Sequence, residues 1–243
     1  MSFLSTDLYL KALLSQTSHT AILVFAHSSD EEMRHKHIYK GKLLFDHLNT
    51  STERKVRKTG IPYFVYTEKE QTGTSFGARL THAIQDVFSL GYNQIITVGN
   101  DTPQLQTQDI DKAVRLLEQY DTVIGPSIDG GTYLIGLKKE SFDPKNFQSL
   151  PWQTEGLRKS LLETINQQGL SEITLQFLHD IDSYSDLRHF STYAFTLESE
   201  FRAILEKLLS SSRYGVAHHF IGISTYFVNE FYNKGSPNLT VIS

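Results

Sequence analysis

Gln94-Ile95-Ile96-Thr97-Val98-Gly99-Asn100-Asp101-Thr102-Pro103 is the stretch that decides the fold. Its apolar first half has the length of a strand, and it ends in a lone carboxylate among turn-forming residues. Thr122-Val123-Ile124, followed by Gly125-Pro126-Ser127-Ile128-Asp129-Gly130-Gly131-Thr132, repeats the arrangement. In open α/β sheets, ligands sit beyond the carboxyl ends of the strands. Two carboxylates delivered there, beside glycines that let a ligand approach the backbone, point to a divalent metal and a phosphorylated ligand.

The flanking sequence extends this pattern. Ala21-Ile22-Leu23-Val24-Phe25-Ala26 is continuously apolar, as a strand buried on both faces should be. Pro62 to Thr67, Tyr133 to Leu137 and Ile173 to Leu178 read as further strands. Between them, helical spacing runs through Leu43, Leu44, Phe45 and Leu48, then Phe76 to Leu90, Ile110 to Tyr120 and Gly156 to Asn166. Strand and helix alternate four times, which predicts a three-layer α/β/α sandwich around a mostly parallel sheet. Ser5-Thr6-Asp7 reads as the cap of an N-terminal helix. The expected domain covers residues 1–190. Residues 191–243 form a C-terminal extension with a helix over Glu198 to Leu209 and an aromatic tail. The tail, with Tyr214, Phe220, Tyr226, Phe227, Phe231 and Tyr232, either packs on the domain or makes a homodimer contact. The second is favoured because so much aromatic surface needs covering.

Composition narrows the function classes. The 243 residues carry a formal net charge of −4, which argues against a nucleic-acid binder. There is no cysteine, so disulfides, thiolate metal sites and cysteine nucleophiles are excluded and the reducing cytoplasm is the expected compartment. Met1 to Thr20 lacks the basic leader of an export signal, and the longest apolar run is far too short for a membrane span. No Gly-x-Ser-x-Gly elbow, Walker loop or dinucleotide fingerprint occurs, which weakens hydrolase, P-loop kinase and dehydrogenase readings.

Each candidate residue also has a bland reading. Asp101 before Thr-Pro is good turn chemistry. Asp129-Gly130 is a common hairpin turn, although with Gly131 it also suits a loop pressed against a sugar or phosphate. Asp180 and Asp182 end another strand, and Ser183-Tyr184-Ser185-Asp186 resembles a capping box. Gly77 and Arg79 open a helix whose N–H groups would attract an anion, or belong to an ordinary Ser/Thr cap with an exposed arginine. Trp152 is a core anchor or a stacking platform. His27, His35 and His37 lack zinc spacing, and Asp30-Glu31-Glu32 reads as solvated.

Four segments in order, Gly99 to Leu105, Ile124 to Leu137, Leu150-Pro151-Trp152-Gln153-Thr154 and Asp180 to Leu187, resemble the DUF2064 family of predicted glycosyltransferases. That family sits in the nucleotide-diphospho-sugar transferase superfamily, with the GT-A type fold. The resemblance covers roughly residues 20 to 190. It implies a nucleotide-binding α/β sandwich and Mg²⁺ or Mn²⁺, with Asp101 and Asp182 as metal ligands. It further implies Asp129 with Gly130 and Gly131 on the sugar or acceptor side, and Arg79 near the phosphates. The family's first strand usually leads into a Gly-Lys-Thr-Arg-Leu type loop that grips phosphates. Here His27-Ser28-Ser29-Asp30-Glu31-Glu32-Met33-Arg34 stands instead, leaving Arg34, Lys36, Lys40 and Lys42 as substitutes.

The expected function is therefore a metal-dependent glycosyltransferase or nucleotidyltransferase with a nucleotide or nucleotide-sugar donor and a small-molecule acceptor. Asp129 is the catalytic candidate. Arg79, Gly77 and Arg34 would bind phosphate, Gly130, Gly131 and Trp152 the sugar, and Asp101 and Asp182 the metal. The alternative, favoured by the altered first loop and the tail, is a non-catalytic descendant that binds a ligand or acts as a scaffold.

Overall fold

The computed structural model describes residues 20–193 and 197–211. The expected N-terminal helix, and the aromatic tail from Arg213 with its dimer contact, lie outside the described residues.

The chain runs β1 (Thr20–Phe25), α1 (Ser29–His35), α2 (Lys42–Arg57), β2 (Tyr63–Tyr66), α3 (Phe76–Ser89), β3 (Gln94–Val98) and α4 (Thr107–Leu117). It continues through β4 (Thr122–Pro126), β5 (Thr132–Lys138), α5 (Pro144–Gln148), α6 (Leu157–Gln167), β6 (Glu172–Thr174), α7 (Tyr184–Ser191) and α8 (Ser199–Ser211). The strands form one sheet in the order β2-β1-β3-β5-β4-β6. β1 pairs in parallel with β2 and β3, and β4 with β6, whereas β5 runs antiparallel to both β3 and β4. Five strands thus share one direction, as the alternation predicts. β5 is the exception because the five-residue turn after β4 is too short for a crossover and must return as a hairpin. The hairpin reading of Asp129-Gly130 is the local structure: Gly130 adopts φ +96° and Gly131 N–H donates to Asp129 Oδ1 at 2.9 Å.

β1 shows why its sequence is apolar throughout. Ala21, Leu23 and Phe25 pack on one face against α3 (Leu80, Ala83, Ile84, Val87) and α6 (Leu157, Leu161, Ile165). Ile22, Val24 and Ala26 pack on the other against α4 (Ile110, Ala113, Leu117). A third cluster joins α2, α7 and α8 through Leu44, Phe45, Leu48, Leu187, Phe190, Phe201 and Leu205. α8 therefore shares apolar contacts with the helices that flank the sheet.

Local chemistry sets the helix starts. Ser75 Oγ accepts from Ala78 N–H at 3.1 Å at the head of α3. Asp109 accepts from Gln106 N–H at 2.9 Å at the head of α4. Asp186 does the same for Ser183 at 2.8 Å at the head of α7, so the capping reading of that segment holds for Asp186.

Sheet packing imposes one tight limit. On β4, a Cβ at Gly125 would lie 2.6 Å from the ring of Tyr133 on β5, which is 1% exposed and donates its hydroxyl to the Gln176 carbonyl at 3.0 Å. Gly125→Ala is expected to destabilise the fold by about 1–3 kcal/mol through overpacking, read by urea unfolding. An unchanged midpoint would show that the β4–β5 contact is looser than described.

Candidate active site

At the carboxyl ends of β1 and β3, where the strand order switches direction, a cleft of about 710 Å³ opens. Its lining includes Asp101, Asp129, Gly131, Trp152, Asp180 and Asp182 together with Arg79, His27, Glu32 and Lys36. Three segments far apart in sequence thus deliver Asp101, Asp129 and Asp182 to one cavity.

The centre of the cleft is an ammonium group. Lys36 Nζ lies 3.0 Å from Asp101 Oδ2 and 2.8 Å from Asp182 Oδ1, and donates to the Ile181 carbonyl at 2.9 Å. Glu32 Oε2 stands 3.7 Å away. Burial works against the charge on Lys36, but Asp101, Glu32 and Asp182 outweigh it and hold the group firmly protonated. Burial also raises Glu32 and Asp182, in each case partly offset by Lys36.

Glu32 corrects the sequence reading of this segment as solvated. Asp30 is, but Glu32 is only 6% exposed because α1 turns it inward with Lys36, one helical turn on. The signal available was the Glu32–Lys36 spacing itself. α1 is fixed at its start by Ser28, whose N–H and hydroxyl both donate to Glu68 at 2.8 Å. His27 faces the cleft, stacked on His35 with ring centroids 5.2 Å apart, and burial lowers its pKa.

The loop that carries Asp101 is pinned from behind. Asn100 Nδ2 donates to Asn49 Oδ1 at 2.5 Å, and Asn49 Nδ2 donates to the His27 carbonyl at 3.1 Å, tying the ends of β3 and β1 together through α2. Lys55, 6% exposed, donates to the Pro103 carbonyl at 2.9 Å. The Asp101 carbonyl accepts from Ile181 N–H at 2.9 Å, which joins this loop to the one bearing Asp182.

The other expected site residues divide. Arg79 lines the cleft and donates from Nε to Gln71 at 3.2 Å. Arg34 does not line it: its guanidinium pairs with Glu31 at 2.7 Å on the solvent side of α1, and Lys36 occupies the inward position. At Gly77 a Cβ would lie 2.3 Å from the Gln148 carbonyl and 2.5 Å from Trp152, so its smallness serves the approach of that segment and its ring. Gly130 is likewise closed in by the Glu155 carbonyl, 2.3 Å from where a Cβ would stand. Trp152 is half-buried. Its Nε1 donates to the Phe147 carbonyl at 2.9 Å and its ring meets those of Phe76 and Phe147, leaving one edge on the cleft.

Around the Lys36 ammonium the nearest donors are all oxygens: the Asp101 and Asp182 carboxylates and the Ile181 carbonyl, with Glu32 farther out. Such a donor set suits Mg²⁺ or Mn²⁺, which need one or two protein carboxylates and take the rest from water and phosphate. Among the described residues no group of three or more His, Asp or Glu side chains gathers into a fuller cage, and no helix is long and apolar enough to cross a membrane.

A crystal structure from Desulfovibrio desulfuricans, of a candidate nucleotide-diphospho-sugar transferase, is 24% identical over 79% of this chain and 96% of that one, with a TM-score of 0.69. Looser likenesses include Rv0371c of Mycobacterium tuberculosis (13% identity, 72% of this chain, 98% of that one, TM-score 0.48) and a cytidylyltransferase of Leptospira borgpetersenii (12%, 83%, 100%, 0.39). No curated protein matches the chain. The first likeness shows a nucleotide-diphospho-sugar transferase-like α/β fold, as the ordered motifs predict. The family model described as "uncharacterized protein conserved in bacteria (DUF2064)" matches residues 10–154, a span that contains Asp101, Asp129 and Trp152. On that match, the chain belongs to the DUF2064 family.

Proposed function

We propose that the protein is a transferase that takes a nucleotide-activated donor, either a nucleotide-sugar or a nucleoside triphosphate, and passes the activated group to a small-molecule acceptor. One observation carries this reading. Asp101 and Asp182, 81 residues apart in sequence, converge within 3.0 Å of one point, the Lys36 ammonium, in a cleft at the switch point of the sheet. Mg²⁺ or Mn²⁺ held there by Asp101 and Asp182 would supply Lewis-acid neutralisation of charge on the leaving diphosphate.

The chain's own residues supply position and field. Arg79 pairs with no carboxylate among the described residues, which leaves its guanidinium for phosphate. Asp129, held by the Gly131 N–H on the rim, orients the acceptor hydroxyl and takes its proton. The Trp152 edge and the 129–131 turn bound the sugar side. Acceleration would come from orientation and preorganised charge rather than a covalent intermediate. Asp180 limits repulsion in the cluster. Burial first, then the charge of Asp101, pushes its pKa up to about 8, although the Thr102 hydroxyl donates to it. At neutral pH it is therefore mostly the uncharged acid.

A second reading, a non-catalytic ligand-binding descendant, is favoured by the Lys36 ammonium that already neutralises the carboxylate pair. Thermal unfolding with Mn²⁺ and a panel of nucleotides and nucleotide-sugars separates the two. A donor at a hundred times its dissociation constant stabilises the native state by about 2.7 kcal/mol, a Tm rise of roughly 5–10 °C for a domain of this size. The rise should vanish in Asp101→Asn. In Arg79→Leu the donor affinity should fall roughly tenfold or more, as loss of a charge-assisted hydrogen bond implies. A flat panel selects the non-catalytic reading.

Asp180 adds a pH signature. Its folded pKa of about 8 exceeds the value of about 3.9 in an unfolded chain. The stability tied to its proton is thus full below about pH 4 and is lost as pH rises to about 8. Asp180→Asn cannot ionise, so it should be more stable than the parent at pH 8 and converge with it towards pH 4. Urea unfolding across that range reads the difference, and parallel curves would reject the assignment.

A further inference from the structure

Lys36 holds the position that the proposed function gives to a divalent ion. Its ammonium lies 2.8–3.0 Å from the oxygens of Asp182, Ile181 and Asp101. Mg²⁺ would need those oxygens at roughly 2.0–2.1 Å around nearly the same point, so ion and ammonium cannot be present together. An empty position would leave Asp101, Asp182 and Glu32 facing one another uncompensated. The lysine stem is long and flexible, and Lys36 borders the open cleft that His27 and Arg79 also line, so the ammonium has somewhere to go.

We propose that Lys36 and the divalent ion are alternative occupants of one position: the ammonium holds the carboxylate pair together, and an arriving ion displaces it into the cleft. Lys36 is then a positioning residue with two states. In the first it preserves the geometry of the carboxylates. In the second it adds a point charge to the wall that Arg79 shares, facing the phosphates of a donor. The exchange rests on the metal assignment made above, but it needs no donor and no turnover to be observed.

The experiment uses the full nucleotide-free chain. Mn²⁺ is titrated while free ion is followed by electron paramagnetic resonance, and lysine acetylation rates are read by mass spectrometry. Saturating Mn²⁺ should raise the acetylation rate of Lys36 at least tenfold, reversibly on chelation. Lys159, whose side chain is 82% exposed, should not change. Lys36→Met should bind Mn²⁺ at least tenfold more tightly than the parent, and Asp101→Asn in that background should abolish the gain. If Lys36 stays shielded while Mn²⁺ binds, if Lys36→Met binds no tighter, or if neither protein binds the ion, the exchange is wrong. Should Lys36→Met fail to fold, acetylation of the parent chain still decides. A released Lys36 with a flat nucleotide panel would sink the transferase reading alone. Donor binding with Lys36 still shielded would sink the exchange alone.

Discussion

The structure around the cleft is organised by one buried positive charge among carboxylates. Lys36, just past the end of α1, bonds to Asp101 from the loop after β3 and to Asp182 and the Ile181 carbonyl from the segment before α7, and stands beside Glu32 of that helix. Three pieces of chain meet at one nitrogen. Without it, like charges in a half-dry cavity would push the loops apart. With it, the two carboxylates are held around one position by direct contacts to a single cation.

The sheet places that position. β1 is buried on both faces, and β2 and β3 leave from its two sides, so the ends of β1 and β3 form a crevice by topology alone. The hydrogen bonds that finish the crevice are few and lie behind it. Asn49 bridges Asn100 and the His27 carbonyl, and Lys55 reaches the Pro103 carbonyl from within α2. A buried lysine donating to a single carbonyl is costly, and burial lowers its pKa. Here that cost is spent on the loop that presents Asp101.

The strands were legible because apolar runs of strand length bounded by turn residues have little other use. Asp101 follows β3 closely, as its sequence suggested, whereas the strand expected over Ile173 to Leu178 stops at Thr174, so Asp182 comes to the cleft from a longer loop. α1 was not legible, since all of its seven residues but Met33 are polar and it carries no apolar stripe. For the same reason Glu32 passed as solvated, and Lys36 was one of four basic residues, marked out only by its four-residue spacing from Glu32. The partners that hold Lys36 inward lie 65 and more residues away. The glycines misled in a different manner. Gly77 and Gly130 do mark close approach, but the approaching groups are the Gln148 carbonyl with Trp152 and the Glu155 backbone. A sequence reports that space is tight at a glycine without saying what fills it.

The short hairpin between β4 and β5 has an evolutionary consequence. Its turn, residues 127–131, is stitched at both ends, by Ser127 N–H to the Gly131 carbonyl and by Arg158 N–H to the Gly130 carbonyl, and Gly130 has no room for a side chain. Such a turn cannot lengthen without unpicking the sheet. Variation of the cleft rim on this scaffold is therefore channelled into the two longer segments, 67–75 and 149–156, where insertions cost little.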